Sequence, residues 1–81
     1  MNDYVPQIIN AILQQGTVHY SDIERITGKS KKTIVKYLNE VQSAVQEYGV
    51  ELIRKSNVGI YFEGNIQKLS GAMGDGALQD N

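Results

Sequence analysis

The chain has 81 residues, 41% hydrophobic and 21% charged, which bounds it to one small globular domain and excludes a fibrous or wholly disordered chain. With no cysteine and a single histidine, disulfide frameworks, thiolate zinc sites and cysteine nucleophiles are excluded. The formal net charge of −1, taken alone, argues against a nucleic-acid binder, whose usual footprint is basic.

No apolar run approaches the length of a membrane span, and Met1-Asn2-Asp3-Tyr4 begins no signal peptide, so a cytoplasmic location is expected. From about Tyr4 to Gln15, Val5, Ile8, Ile9, Ile12 and Leu13 recur with the spacing of a helix that faces a core. Pro6 suits the first turn, Asp3 the N-cap and Gly16 the stop.

Thr17-Val18-His19-Tyr20 is β-prone but too short for more than an extended link or a one-bridge strand. Ser21 and Glu24 have capping-box spacing, which predicts a short helix that buries Ile23 and Ile26 and ends at Gly28. After Lys29, Ser30 caps a further helix that is predicted to reach Tyr48 and stop at Gly49. Its apolar stripe is Ile34, Leu38, Val41, Val45 and Tyr48, with Tyr37 packed at the border. At 100° per residue, Lys32, Lys36, Asn39 and Ser43 fall within roughly 40° of the opposite pole.

Val50 to Lys55 and Gly59 to Glu63 read as strands joined by Ser56-Asn57-Val58, a hairpin with Arg54 and Lys55 at its tip. Beyond Gly64 the chain is rich in glycine. Ile66, Leu69 and Met73 support one helical turn, and disorder is expected from about Ser70. Residues 1–64 are thus the domain and 65–81 a flexible C-terminal tail or linker.

The predicted fold class is mainly α with a small β-hairpin. Two helices joined by a short glycine-containing turn form a helix-turn-helix, and a hairpin directly after them is a wing. The succession predicts a three-helix winged helix-turn-helix.

Ser30-Lys31-Lys32-Thr33-Ile34, Tyr48-Gly49-Val50-Glu51-Leu52-Ile53 and Gly59-Ile60-Tyr61-Phe62-Glu63-Gly64 carry a resemblance. Over Ile8 to Gly64 the chain resembles the N-terminal winged helix-turn-helix domain of PRD and Mga-type bacterial transcription regulators. It is also similar to the DNA-binding domain of the biotin repressor. Glu24 and Lys29 depart from that pattern, which is apolar at both positions. The resemblance implies double-stranded DNA as the partner, a homodimer in the full-length regulator, and regulatory modules beyond the winged helix. It also implies a role in transcription of genes for sugar uptake or metabolism, under phosphotransferase control.

Arg25, Lys29, Lys31, Lys32 and Lys36 give the span from Arg25 to Asn39 five bases and no acid. A lysine-rich helix face is as a rule a solvated face; its place in this element order makes it a candidate for the DNA major groove. Lys32 and Lys36 suit guanine, Asn39 suits adenine and Val35 a thymine methyl. Lys29, Ser30, Lys31, Thr33 and the open N–H groups of the helix start suit phosphate, which His19 or Tyr20 could also reach. Arg54 and Lys55 suit phosphate or the minor groove.

His19 has no partner set for catalysis or metal binding, and Tyr37, Tyr48, Tyr61 and Phe62 read as core rather than as a stacking platform. No enzyme activity, cofactor, metal, membrane or small-molecule ligand is expected of the chain. The competing reading is a winged helix used as a protein-interaction or dimerisation module, whose mark is an exposed apolar patch.

Overall fold

The computed structural model describes residues 3–79, with side chains for 3–72. The elements run α1 (Tyr4–Gln15), β1 (Thr17–Val18), α2 (Tyr20–Thr27), α3 (Lys31–Gln46), β2 (Val50–Lys55), β3 (Gly59–Gly64) and α4 (Ile66–Gln79). The fold is mainly helical, with a small antiparallel sheet in the order β1-β3-β2.

The apolar periodicities converge on one core. Val5, Ile8, Ile9 and Ile12 of α1 are buried, as are Ile34, Leu38, Val41 and Val45 of α3. Ile23 of α2, Val18, Val50, Leu52, Ile60 and Phe62 of the sheet and Leu69 of α4 complete it. Tyr37 packs at the margin and stacks on Tyr4, ring centroids 5.7 Å apart.

Several local features differ from the sequence expectation, each for a physical reason. Thr17–Val18 is a third strand, because Thr17 pairs with Tyr61 and Val18 with Ile60. That pairing delivers the chain to α2 one residue beyond the strand, so His19 is the N-cap and α2 begins at Tyr20. The capping box expected at Ser21 and Glu24 is displaced accordingly. Asp22 takes the reciprocal position, and its Oδ2 accepts the His19 backbone N–H at 2.8 Å.

Ile26 is half-buried, and Thr27, not Ile26, joins Ile23 inside. Thr27 and Ile23 are four residues apart and share a helix face. Burial of the Thr27 hydroxyl is satisfied on both sides. It donates to the Ile23 carbonyl at 2.8 Å and accepts the Lys29 N–H at 3.1 Å. Asp3 and Ser30 occupy the N-cap positions of α1 and α3, but neither side chain makes a capping bond.

Gly28, at φ +69°, turns the chain between α2 and α3. α3 ends at Gln46 rather than Tyr48. A turn follows in which the Tyr48 N–H donates to Val45 and the Gly49 N–H to Gln46. α4 runs on to Gln79, well past the single turn expected there. Asn65 starts it: its Oδ1 accepts the Lys68 N–H at 3.4 Å, and Leu69, 1% exposed, anchors it in the core. Of the expected disordered stretch, residues 80 and 81 lie outside the described residues.

The hairpin register is Val50 to Gly64, Leu52 to Phe62, Arg54 to Ile60 and Lys55 to Gly59. Side chains alternate faces along a strand. Val50, Leu52 and Arg54 therefore share the inner face, while Glu51, Ile53 and Lys55 share the outer one.

Candidate functional site

Burial of Ile34, Leu38, Val41 and Val45 fixes the rotation of α3 about its own axis. Lys31, Lys32, Val35, Lys36 and Asn39 are left exposed, as are Lys29 and Ser30 in the turn before it, while Thr33 is half-buried. Val35 retains 36% of its surface. The basic face expected of this helix is therefore open.

The five cations of the span are not equivalent. Arg25 is paired with Asp22 at 3.3 Å. Lys29 lies 6.0 Å from the centroid of the Tyr4 ring and Lys31 lies 4.9 Å from that of Tyr20. In such contacts the ammonium itself is drawn to the face of the aromatic ring. The aromatic partners come from α1 and from the start of α2, so the turn into α3 is anchored on both preceding helices. Lys32 and Lys36 make no ion pair or ring contact among the described residues.

The hairpin joins the same surface. Arg54 Nη2 donates to Asn39 Oδ1 at 2.8 Å, across a separation of 15 residues. One turn further along α3, Gln42 Oε1 accepts the Leu52 backbone N–H at 2.8 Å. Asn39 and Gln42 are neighbours on α3, and Leu52 and Arg54 are alternate residues of β2. Two carboxamides thus seam the free edge of β2 to the helix. This seam also covers an edge-strand donor that would otherwise invite pairing with another chain. Lys55 lies on the opposite face of β2 from Arg54, although both residues line the concavity at the hairpin tip.

Between the hairpin tip and the start of α2 lies a concavity of about 330 Å³. Its walls are His19, Tyr20, Arg54, Lys55 and Ser56, above a floor of Gly59 and Ile60, with no carboxylate among them. Gly59 is required here. Its φ is +124°, and a Cβ would stand 2.8 Å from both Thr17 Cγ2 and the Val18 carbonyl oxygen. The nearby Asp22 carboxyl is held below the usual carboxylate range, chiefly by the His19 backbone N–H, then by the Arg25 and His19 charges.

Acidic residues lie elsewhere. Glu40 and Glu47, with Asn39, Ser43 and Ala44, line an open groove along the second half of α3. Glu51 and Glu63 face each other across β2 and β3. α3 therefore reverses its charge along its length: basic to Lys36, acidic from Glu40. Among the described residues no group of three or more His, Cys, Asp or Glu could hold a metal ion, and no helix is long and apolar enough to cross a membrane.

Gln42, Tyr4 and the Asp22–Arg25 pair are parts of this surface that the sequence did not single out. Gln42 carries no local signal, since its partner is a backbone group ten residues away. The Asp22–Arg25 spacing is an ordinary i,i+3 helix pair and is legible in retrospect. Compared with known protein families, characterised proteins and solved structures, the chain finds no match.

Proposed function

We propose that the chain is a winged helix-turn-helix domain that binds duplex DNA in a sequence-specific manner, as the promoter-recognition part of a bacterial transcription regulator. The observation that carries this reading is the junction of α3 and the hairpin. Lys32 and Lys36 are exposed on the face of α3 that also carries Asn39, and Arg54 of the hairpin is hydrogen-bonded to Asn39.

In this reading the first half of α3 enters the major groove, whose width accepts a helix. Lys32, Lys36 and Val35 meet base edges. Lys29, Ser30, Lys31 and Thr33 meet phosphates beside the helix start. The concavity between His19, Tyr20, Lys55 and Ser56 seats a backbone phosphate, for which a wall that carries Lys55 and no carboxylate is suited. The acidic second half of α3 stays clear of the DNA by like-charge repulsion.

Lacking a global positive field, the domain takes its specificity from a few placed contacts, doubled in a homodimer of the full regulator. A role in sugar uptake or metabolism accords with the family resemblance. Among the described residues, the exposed large apolar side chains Val35, Val58 and Ile66 stand on α3, the hairpin turn and α4. That scatter favours DNA over a protein-docking patch.

The test is a fluorescence-anisotropy titration against random and selected duplexes at about 50–100 mM salt, repeated as salt is raised. Specific binding that falls steeply with salt supports the reading. Absence of duplex binding, with a dimerised form of the chain also silent, overturns it.

A further inference from the structure

We propose that Arg54 is a base-reading residue presented from the α3 side of the hairpin, and that Asn39 is the positioning residue that holds its guanidinium there. The inference rests on the DNA reading above and reassigns two of its residues.

The hydrogen-bond chemistry leaves one assignment. A guanidinium only donates, so the atom of Asn39 that meets Arg54 Nη2 at 2.8 Å is the carboxamide oxygen. Bidentate recognition of adenine by asparagine needs that oxygen as an acceptor for the adenine amino group. With Arg54 on it, Asn39 is poorly placed to read adenine. What the contact does instead is immobilise a long, flexible side chain. Arg54 keeps four further N–H donors in a planar fork, the geometry that matches guanine O6 and N7.

Position supports the same assignment. Around α3, Lys32, Lys36 and Asn39 lie within about 60° of one another. A guanidinium bonded to Asn39 therefore extends the line of exposed groups that begins with Lys32 and continues through Lys36. The hairpin register sets Arg54 on the inner face with Leu52, and Lys55 on the outer face. Arg54 is thus directed to the groove that α3 occupies, while Lys55 is left to phosphate. The Gln42 to Leu52 bond fixes β2 to the next turn of α3 and prevents the hairpin from swinging Arg54 away. Beyond Asn39 the helix turns acidic, so Arg54 supplies the last cation of the row where α3 itself has none.

The experiment is site selection from random duplexes with the full 81-residue chain and its variants Arg54→Ala, Arg54→Lys, Asn39→Ala, Asn39→Asp and Lys55→Ala. Thermal midpoints establish that each variant folds. The expected result is that Arg54→Ala and Asn39→Ala lose preference for a G·C pair at the same single position, with affinity for the selected site reduced about 5- to 100-fold for Arg54→Ala. Arg54→Lys loses the same preference, since an ammonium cannot supply the planar fork. Asn39→Asp, which still accepts from the guanidinium, keeps the preference while binding all sequences more weakly. Lys55→Ala weakens all sequences alike.

If Asn39→Ala leaves that position unchanged, or alters a different one from Arg54→Ala, the positioning role is overturned while DNA binding stands. If neither the wild-type chain nor a dimerised form of it selects a sequence, the DNA reading itself fails and takes the proposal with it.

Discussion

Gln42 and Leu52 are joined by a bond from the Leu52 backbone N–H to the Gln42 carboxamide oxygen, 2.8 Å long and part-buried. It marks Leu52 and Phe62 as a pair that exchanges no ladder bonds, so the Leu52 N–H would otherwise point outward from the sheet. Gln42→Ala leaves this donor without a partner and is expected to cost about 1–2 kcal/mol. Gln42→Glu retains the acceptor and recovers most of the loss. Urea denaturation of the two variants checks both outcomes.

Gly59→Ala combines a backbone conformation that L side chains rarely adopt with a Cβ set against the Val18 carbonyl. A loss of about 1–3 kcal/mol is expected. Because the obstructing atoms belong to β1, amide exchange at Thr17 and Val18 should accelerate more than at α1. Uniform acceleration across the domain would contradict this account of the defect.

Asp22 has a folded pKa below its unfolded value, chiefly through the His19 backbone N–H. Its contribution is therefore present in full above the unfolded value and disappears as pH falls through the lower folded value. Asp22→Asn is expected to lower the thermal midpoint at neutral pH and to leave it less sensitive to acid. Equal acid sensitivity in variant and wild type would show that other carboxylates carry the effect.

Leu69 ties α4 to the core with 1% of its surface exposed. Leu69→Ala is expected to cost about 2–5 kcal/mol if α4 is an integral part of the folding unit. An unchanged denaturation midpoint would instead place the domain limit before Ile66. This variant therefore tests where residues 65–81 belong.

If the chain binds duplex DNA as proposed, salt dependence distinguishes two kinds of contact. Lys55→Ala, proposed to meet a phosphate, should reduce the magnitude of the log–log salt slope by about 0.9. Lys32→Ala, proposed to meet a base edge, should relax specificity at one base pair. Anisotropy titrations over a range of salt, on matched and mismatched duplexes, measure both.

Much of this architecture is legible in the chain because it follows from local periodicity. Val5, Ile8, Ile9 and Ile12, and Ile34, Leu38, Val41 and Val45, announce their buried faces through helical spacing, and burial of those faces dictates which lysines are exposed. Gly28 and the Ser56-Asn57-Val58 turn mark reversals that neighbouring residues alone require.

The start of α2 is different. Ser21 and Glu24 form as good a local cap as His19 and Asp22, and the choice falls to the latter because β1 pairs with β3, more than 40 residues on. The candidate surface divides the same way. The core faces, the basic first half of α3 and the cations of the hairpin follow from the amino-acid order alone, since each is a property of residues a turn or a strand apart. The packing of the elements against one another settles that Lys29 and Lys31 rest on tyrosines and that Asn39 holds Arg54. A hydrogen bond between side chains 15 residues apart depends on the angle at which β2 leaves α3. That angle is set by packing of the whole core, and no local pattern encodes it. The net charge of −1 likewise describes no surface of the molecule, because folding sorts the bases of α3 and the hairpin away from most of the acids.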